Sequence, residues 1–340
     1  MGTDMHRRVV TGGVALSLAV ALTACGSAEQ GEPAQSSDDQ KVVIGIVEQQ
    51  LGNPFFGAIQ QAATDAAESE GAEVIVANSK VAGDSESQVN AIHDMINRGV
   101  AGIVLDPANA AAVVPAVQQA REAGILVVTV NTQVEPASAA DAGFETDNKE
   151  AGRLIGAWAK ASLGDGAANV AMLDYDLTDK TSKSRHDGFL EGFGLTDDSP
   201  EIVAQRETSA SVDGGQNALE NMLQANKDIN VVYAINEPMA QGGFAAAKAQ
   251  GLAEDILFTA IDGSCSGVQA VRDGEIGATV AQFPTRMGQL AVEAILKYHR
   301  EGVKPSGISN SGTVLITDSP VEGIESKDTA WGLENCWGEQ

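Results

Sequence analysis

Short apolar runs and longer amphipathic stretches alternate along this chain. The apolar runs at 42–47, 73–76, 102–105, 126–130, 170–173, 202–205, 231–234, 257–261 and 278–281 are bounded by polar or glycine-containing segments, as strands are. Between them, residues 59–70, 87–98, 110–123, 150–163, 184–193, 214–224, 239–250, 265–273 and 286–301 place apolar residues at helical spacing. Ser85 and Gln88 stand at the spacing of a capping box for the second of these helices. Strands that are apolar throughout, alternating with helices, predict an α/β fold whose parallel sheets are covered on both faces. The alternation runs twice, ending near Val130 and starting again near Val170, so the pattern predicts two doubly wound parallel-sheet lobes. Joining segments near 141–148, 282–284 and 310–313 predict a three-segment hinge beside a cleft. The first lobe is expected to comprise 41–145 plus 283–311, and the second 146–282 plus 312–340.

The first strand–helix junction is the most informative local feature. After the run at 42–47 comes Gly52-Asn53-Pro54-Phe55-Phe56, with Pro54 suited to the first helical position and Asn53 to the cap. Phe55 and Phe56 then stand at the carboxyl edge of a strand, where open parallel sheets bind ligands. An amide beside two aromatic rings suits a sugar, although two phenylalanines can equally begin an ordinary amphipathic helix. Further polar residues close strands or open helices: Asn131, Asp174, Asn236, Asp262, Gln282 and Arg185. Together they supply the paired donors and acceptors that hydroxyl groups need.

The amino terminus bears on location. Arg7 and Arg8 precede an apolar stretch at 9–22, shorter than the ~20 residues of a spanning helix, and Leu22-Thr23-Ala24-Cys25 follows. That ending resembles the bacterial lipoprotein box, so residues 1–25 are expected to be an export signal with Cys25 as the lipidated first residue of the mature chain. Residues 26–40, rich in Ser, Gln, Glu, Asp and Gly, are expected to form a flexible tether to the outer face of the membrane. The formal charge of −26 argues against nucleic acid as a partner. Cys265 and Cys336 remain as a pair in an exported chain, which reads as one disulfide.

The chain offers little to catalysis. His6, His93, His186 and His299 show no metal-ligand spacing, and no glycine-rich phosphate loop is present. Gly263-Ser264-Cys265-Ser266-Gly267 has the form of a nucleophile elbow, but a Cys hydrolase would require Cys265 to be free rather than paired. The acidic run 174–179 lacks the glycine and distal glutamate of a calcium loop and reads as a polar turn. No cofactor is expected.

Several segments together carry a family resemblance: Asn53-Pro54-Phe55-Phe56, Gly83-Asp84-Ser85-Glu86-Ser87-Gln88-Val89, Ile235-Asn236-Glu237-Pro238, Ile261-Asp262-Gly263 and the terminal Leu333-Glu334-Asn335-Cys336-Trp337-Gly338. The chain resembles the type I periplasmic sugar-binding proteins of ABC importers, in the ribose-binding group and most like its fructose-binding branch, to which the Cys-bearing tail points. The resemblance implies a monomeric, lipid-anchored binder that delivers a monosaccharide, with fructose the expected ligand, to permease subunits. Ribose, mannose, a polyol and a furanose signal are the alternatives. It implies ligand contacts from Asn53, Phe56 with Phe55 beside it, Arg185 (followed in register by Asp187-Gly188-Phe189), Asn236, Asp262 and Gln282. Asn131-Thr132 stands where the ribose group has Asp-Arg, and Ala210 falls near that group's second-lobe stacking ring. Both departures imply room for a larger sugar.

Overall fold

The computed structural model describes residues 41–49, 53–79 and 83–338. The expectations for Cys25, the export signal and the tether lie outside these residues. Strands β1 (Val43–Glu48), β2 (Glu73–Asn78), β3 (Gly102–Leu105), β4 (Leu126–Val130) and β5 (Ala142–Glu145) build one sheet. Strands β6 (Val170–Asp174), β7 (Ile202–Glu207), β8 (Val231–Ala234), β9 (Leu257–Asp262) and β10 (Ala278–Ala281) build another. The chain then adds β11 (Gly307–Asn310) to the edge of the first sheet and β12 (Val314–Ile316) to the edge of the second. The strand orders are β11-β5-β4-β3-β1-β2 and β12-β10-β9-β8-β6-β7, and every pairing is parallel except β10 with β12. These are the two parallel-sheet lobes that the alternation predicts.

Helices cover both sheets. In the first lobe, α1 (Pro54–Ser69) packs beside the later helix α9 on one face, and α2 (Ser85–Arg98) and α3 (Val114–Glu122) contact each other as well. In the second, α4 (Asn148–Leu163) packs on α5 (Lys180–Phe193), α6 (Val212–Ala225) on α7 (Glu237–Ala249), and α8 (Cys265–Arg272) on the terminal α10. The last two helices are α9 (Pro284–Glu301) and α10 (Thr329–Asn335). Ile44, Ile46, Val128, Val170, Val231 and Ile261 are fully buried, because a strand covered on both faces has no side to give to water. The α4–α5 contact brings two helix backbones together. A Cβ on Gly152 would stand 2.1 Å from the Arg185 carbonyl, and one on Gly188 2.2 Å from that of Lys149. Only glycines allow these backbones to meet, and their contact holds the body of α5; the helix begins at Lys180, so Arg185 lies in its second turn and does not open it as the sequence pattern predicts.

Three joining stretches carry the chain between sheets: after β5, after β10 and between β11 and β12. Thr146 in the first donates its hydroxyl to Gln282 Oε1 in the second at 2.9 Å. Strands β5, β11 and β12 and helix α10 have no counterpart in the hydrophobic pattern. Strand β5 reads Ala-Gly-Phe-Glu, β11 is exposed along its whole length, and β12 has three residues, so none presents a periodic apolar signal. The capping box is also replaced. Asp84 caps α2 by accepting from Ser87 N, whereas Gln88 is buried and ties the ends of β1 and β3 through the carbonyls of Glu48 (3.2 Å) and Asp106 (2.8 Å).

Candidate functional site

A cavity of about 900 Å³ lies between the carboxyl ends of the two sheets, and Asn53, Phe55, Phe56, Asn131, Arg185, Asn236, Asp262 and Gln282 all line it. On the first-lobe side, Pro54 opens α1 and the Asn53 side chain accepts from Phe55 N at 2.9 Å, so the cap that the sequence predicts is present. Phe55 and Phe56 meet edge to face with centroids 5.8 Å apart. Asn131 ends β4 in the left-handed region at φ 58°, a conformation that asparagine tolerates better than other side-chain-bearing residues.

Beneath Asn131 is a group that sequence reasoning missed. Asp106, fully buried at the end of β3, accepts from Asn131 Nδ2 at 3.0 Å and from Gln49 Nε2 at 3.1 Å. Burial pushes its carboxyl up to about 7, and hydrogen bonds from Gln49, Asn131 and Thr132 oppose the rise. Glu48, buried at the end of β1, is held well above the ordinary carboxylate range by burial and by the Asp106 charge. Both amide nitrogens donate to Asp106, which fixes the amides of Gln49 and Asn131 with their carbonyl oxygens turned away from it.

On the second-lobe side, Arg185 is nearly buried. Its Nε donates to Asn148 Oδ1 at 2.8 Å and its Nη1 to the Ile235 carbonyl at 3.1 Å, with Asp262 Oδ1 3.8 Å away. Asp262 accepts from Gln282 Nε2 at 2.9 Å and from Glu237 N at 3.3 Å. Burial and the neighbouring Glu237 push its carboxyl up to about 7, against the lowering influence of Arg185. Glu237 also escaped the sequence reading as a structural centre. Its buried carboxylate accepts from Gly263 N (2.8 Å), Ser264 N (3.0 Å), Thr279 Oγ1 (2.7 Å) and the Ser264 hydroxyl, so it shapes the turn that follows Asp262. Asn236 caps α7 through Met239 N and donates to the Ala210 carbonyl at 3.1 Å. Gln282 binds Asp262 with its nitrogen and Thr146 with its oxygen, which makes it a strut between the joining segments and the site.

Asp174 does not reach the cavity. It is fully buried, bonded to His186 Nδ1 at 3.0 Å and to Gln205 Nε2 at 3.1 Å. His186 in turn meets Asp197 at 2.8 Å. Burial alone would lower the imidazole pKa, but the hydrogen bonds and charges of both aspartates outweigh it and hold His186 above its ordinary value. Asp174 therefore anchors α5 to β6. Its neighbour Tyr175 lines the cavity instead and is the aromatic residue that the second lobe contributes there among the described residues. Cys265 is buried and paired with Cys336, with Cα atoms 4.9 Å apart, so the elbow at 263–267 presents no thiolate.

Residues 44–302 match the model of a periplasmic binding protein domain. The ribose import binding protein RbsB of Bacillus subtilis is 30% identical over 275 residues, covering 80% of this chain and 87% of that protein. The galactofuranose-binding protein YtfQ of Escherichia coli is 29% identical over 252 residues, covering 71% and 78%. An ABC transporter periplasmic solute-binding protein from Actinobacillus succinogenes, solved with bound D-allose, superposes with a TM-score of 0.75 at 26% identity, covering 82% of this chain and 98% of that one.

Proposed function

Because the chain belongs to the periplasmic binding protein family and is a sugar-binding component of an ABC importer, we propose that it captures D-fructose in the interlobe cavity and delivers it to its permease. It is a transport protein and not an enzyme, so selection rests on hydrogen bonding and not on chemistry. The observation that carries the proposal is the division of the cavity wall: Phe55 and Phe56 offer aromatic surface on one side, and Arg185, Asn236 and Asp262 offer donors and acceptors on the other. Flat C–H faces of a sugar suit the first and its hydroxyls the second. Thr132 and Ala210, small where the ribose group is expected to be larger, favour a hexose. In this proposal residues 41–145 plus 283–311 and residues 146–282 plus 312–340 move as two lobes about the three joining segments. The chain acts as a monomer, anchored through Cys25 and spaced from the membrane by residues 26–40. A second candidate is a ribose- or galactofuranose-like furanose, favoured by the names of the relatives. Calorimetric titration with D-fructose, D-ribose, D-allose, D-mannose, D-galactose and myo-inositol tests both. Fructose should bind tightest; tighter ribose binding would replace it, and silence from every sugar would remove the assignment.

A further inference from the structure

The carboxyl-terminal tail joins the two walls of the cavity from behind. Cys336 is bonded to Cys265 at the start of α8, and Cys265 N donates to the Trp337 carbonyl at 2.9 Å, extending a parallel bridge between Ser264 and Trp337. The tail backbone is thus stitched to the second lobe. The Trp337 side chain belongs elsewhere: only 7% exposed, it packs in the first-lobe core that also holds Phe55 and Ile59. Its ring meets Phe55 edge to face, with centroids 5.3 Å apart at 78°, and its indole N–H donates to the Asp262 carbonyl at 3.2 Å. Phe55 and Asp262 stand on opposite walls of the cavity.

We propose that Trp337 is an interlobe clasp, a positioning residue that sets the Phe55 ring against Asp262 and resists separation of the lobes. Separation must draw the indole away from Phe55 or strip it from Asp262, because the disulfide keeps the tail with the second lobe. Either route exposes aromatic surface or leaves a buried indole N–H without its acceptor. The consequence for binding rests on the cavity being the ligand site; the consequence for lobe separation does not.

Small-angle scattering of the ligand-free protein reads the separation, and calorimetric titration with D-fructose reads the binding. Trp337→Ala should enlarge the radius of gyration and weaken fructose binding roughly ten-fold, the scale of one well-made aromatic contact and hydrogen bond. Trp337→Phe, which restores a ring without the N–H, should recover the wild-type radius and most of the affinity. If the alanine variant does not fold, the Cys265→Ser/Cys336→Ser double variant carries the test and should open in the same direction. A wild-type radius and wild-type affinity in a folded alanine variant, with only the melting temperature lowered, would overturn the clasp. If wild type binds no fructose, the sugar assignment is at fault, and the scattering comparison still decides the clasp.

Discussion

Replacing Asp262 with asparagine keeps the shape of the side chain and removes its charge, so its effects on binding and on folding can be read side by side. Asp262 is about nine-tenths buried, and its two oxygens already accept from Gln282 Nε2 and from Glu237 N. In Asp262→Asn one of these contacts becomes donor against donor, whichever way the amide turns. A hydroxyl bonded to a buried carboxylate contributes about 1.5–3 kcal/mol, and a hydroxyl left facing an amide N–H adds part of its own desolvation cost. The expected loss is about 2–4 kcal/mol of binding, or roughly 30- to 1000-fold in Kd. Stability should fall as well, because the buried contact turned donor against donor costs about 1–3 kcal/mol, whereas two further consequences oppose each other. Arg185, 3.8 Å away, loses its nearby counter-charge, while buried Glu237 is relieved of a like charge. Calorimetric titration with the tightest-binding sugar and thermal melting, on wild type and variant, read the two quantities separately. An Asp262→Asn variant that binds this sugar within about three-fold of wild type would refute the assignment of Asp262 to the ligand wall.

The remaining predictions are independent of that substitution. Asp262 carries a folded-state pKa of about 7, above the ~3.9 of an unfolded aspartate, so the folded chain holds the extra proton between those values and stability falls as pH rises through them. His186, raised above its ordinary value, stabilises below ~6.5 and loses that contribution as pH rises through its folded pKa; the melting temperature should therefore be higher at pH 6 than at pH 8, and the opposite order would contradict both assignments. Hydroxyls donated to Asp262 favour its ionised form, so sugar binding at pH 6 should release protons, seen as different apparent enthalpies in buffers of different ionisation heat. Cys25→Ser should move the protein from the membrane fraction to the soluble fraction, and a wild type already soluble outside the cell would reject the anchor. Thiol labelling of the denatured, unreduced mature protein should find no free cysteine; two labelled thiols would dismiss the Cys265–Cys336 bond.

The central strands were legible because they are buried on both faces and therefore apolar, which distinguishes Gly102–Leu105 or Val231–Ala234 from any loop. The Asn53-Pro54 cap was legible because its chemistry is local. Asp174 shows where such reasoning stops. A strand end marks an edge of the sheet, but only the register of the pleat decides whether the last side chain faces a cleft or a covering helix. Asp106 and Glu237 were illegible for a different reason. Asp106 gains its role from Gln49 and Asn131, and Glu237 from Gly263, Ser264 and Thr279, all distant in sequence and gathered only by strand order. Trp337 was visible only as part of a tail motif; its packing against Phe55 depends on the disulfide and the parallel bridge made around Cys265.

These buried carboxyls also constrain the ligand class. Each lobe holds a buried acidic pair, Glu48 with Asp106 at strand ends and Glu237 at the start of α7 with Asp262 at the end of β9, and burial raises all four. In the first lobe the partners of Asp106 are neutral amides and Thr132, so none of them brings a positive charge to it. In the second, Arg185 lies beside Asp262 and is partly neutralised by it. Among the described residues that line the cavity, six acids (Glu135, Glu145, Asp147, Asp176, Asp179 and Asp262) face three cations (Lys149, Lys180 and Arg185). A sugar phosphate or sugar acid would bring a further negative charge into this field, with one buried guanidinium to meet it and a carboxylate 3.8 Å from that guanidinium competing for it. An uncharged polyol meets no such opposition. The charges of the described lining therefore favour a neutral sugar over an anionic one, and the choice among neutral sugars falls to shape.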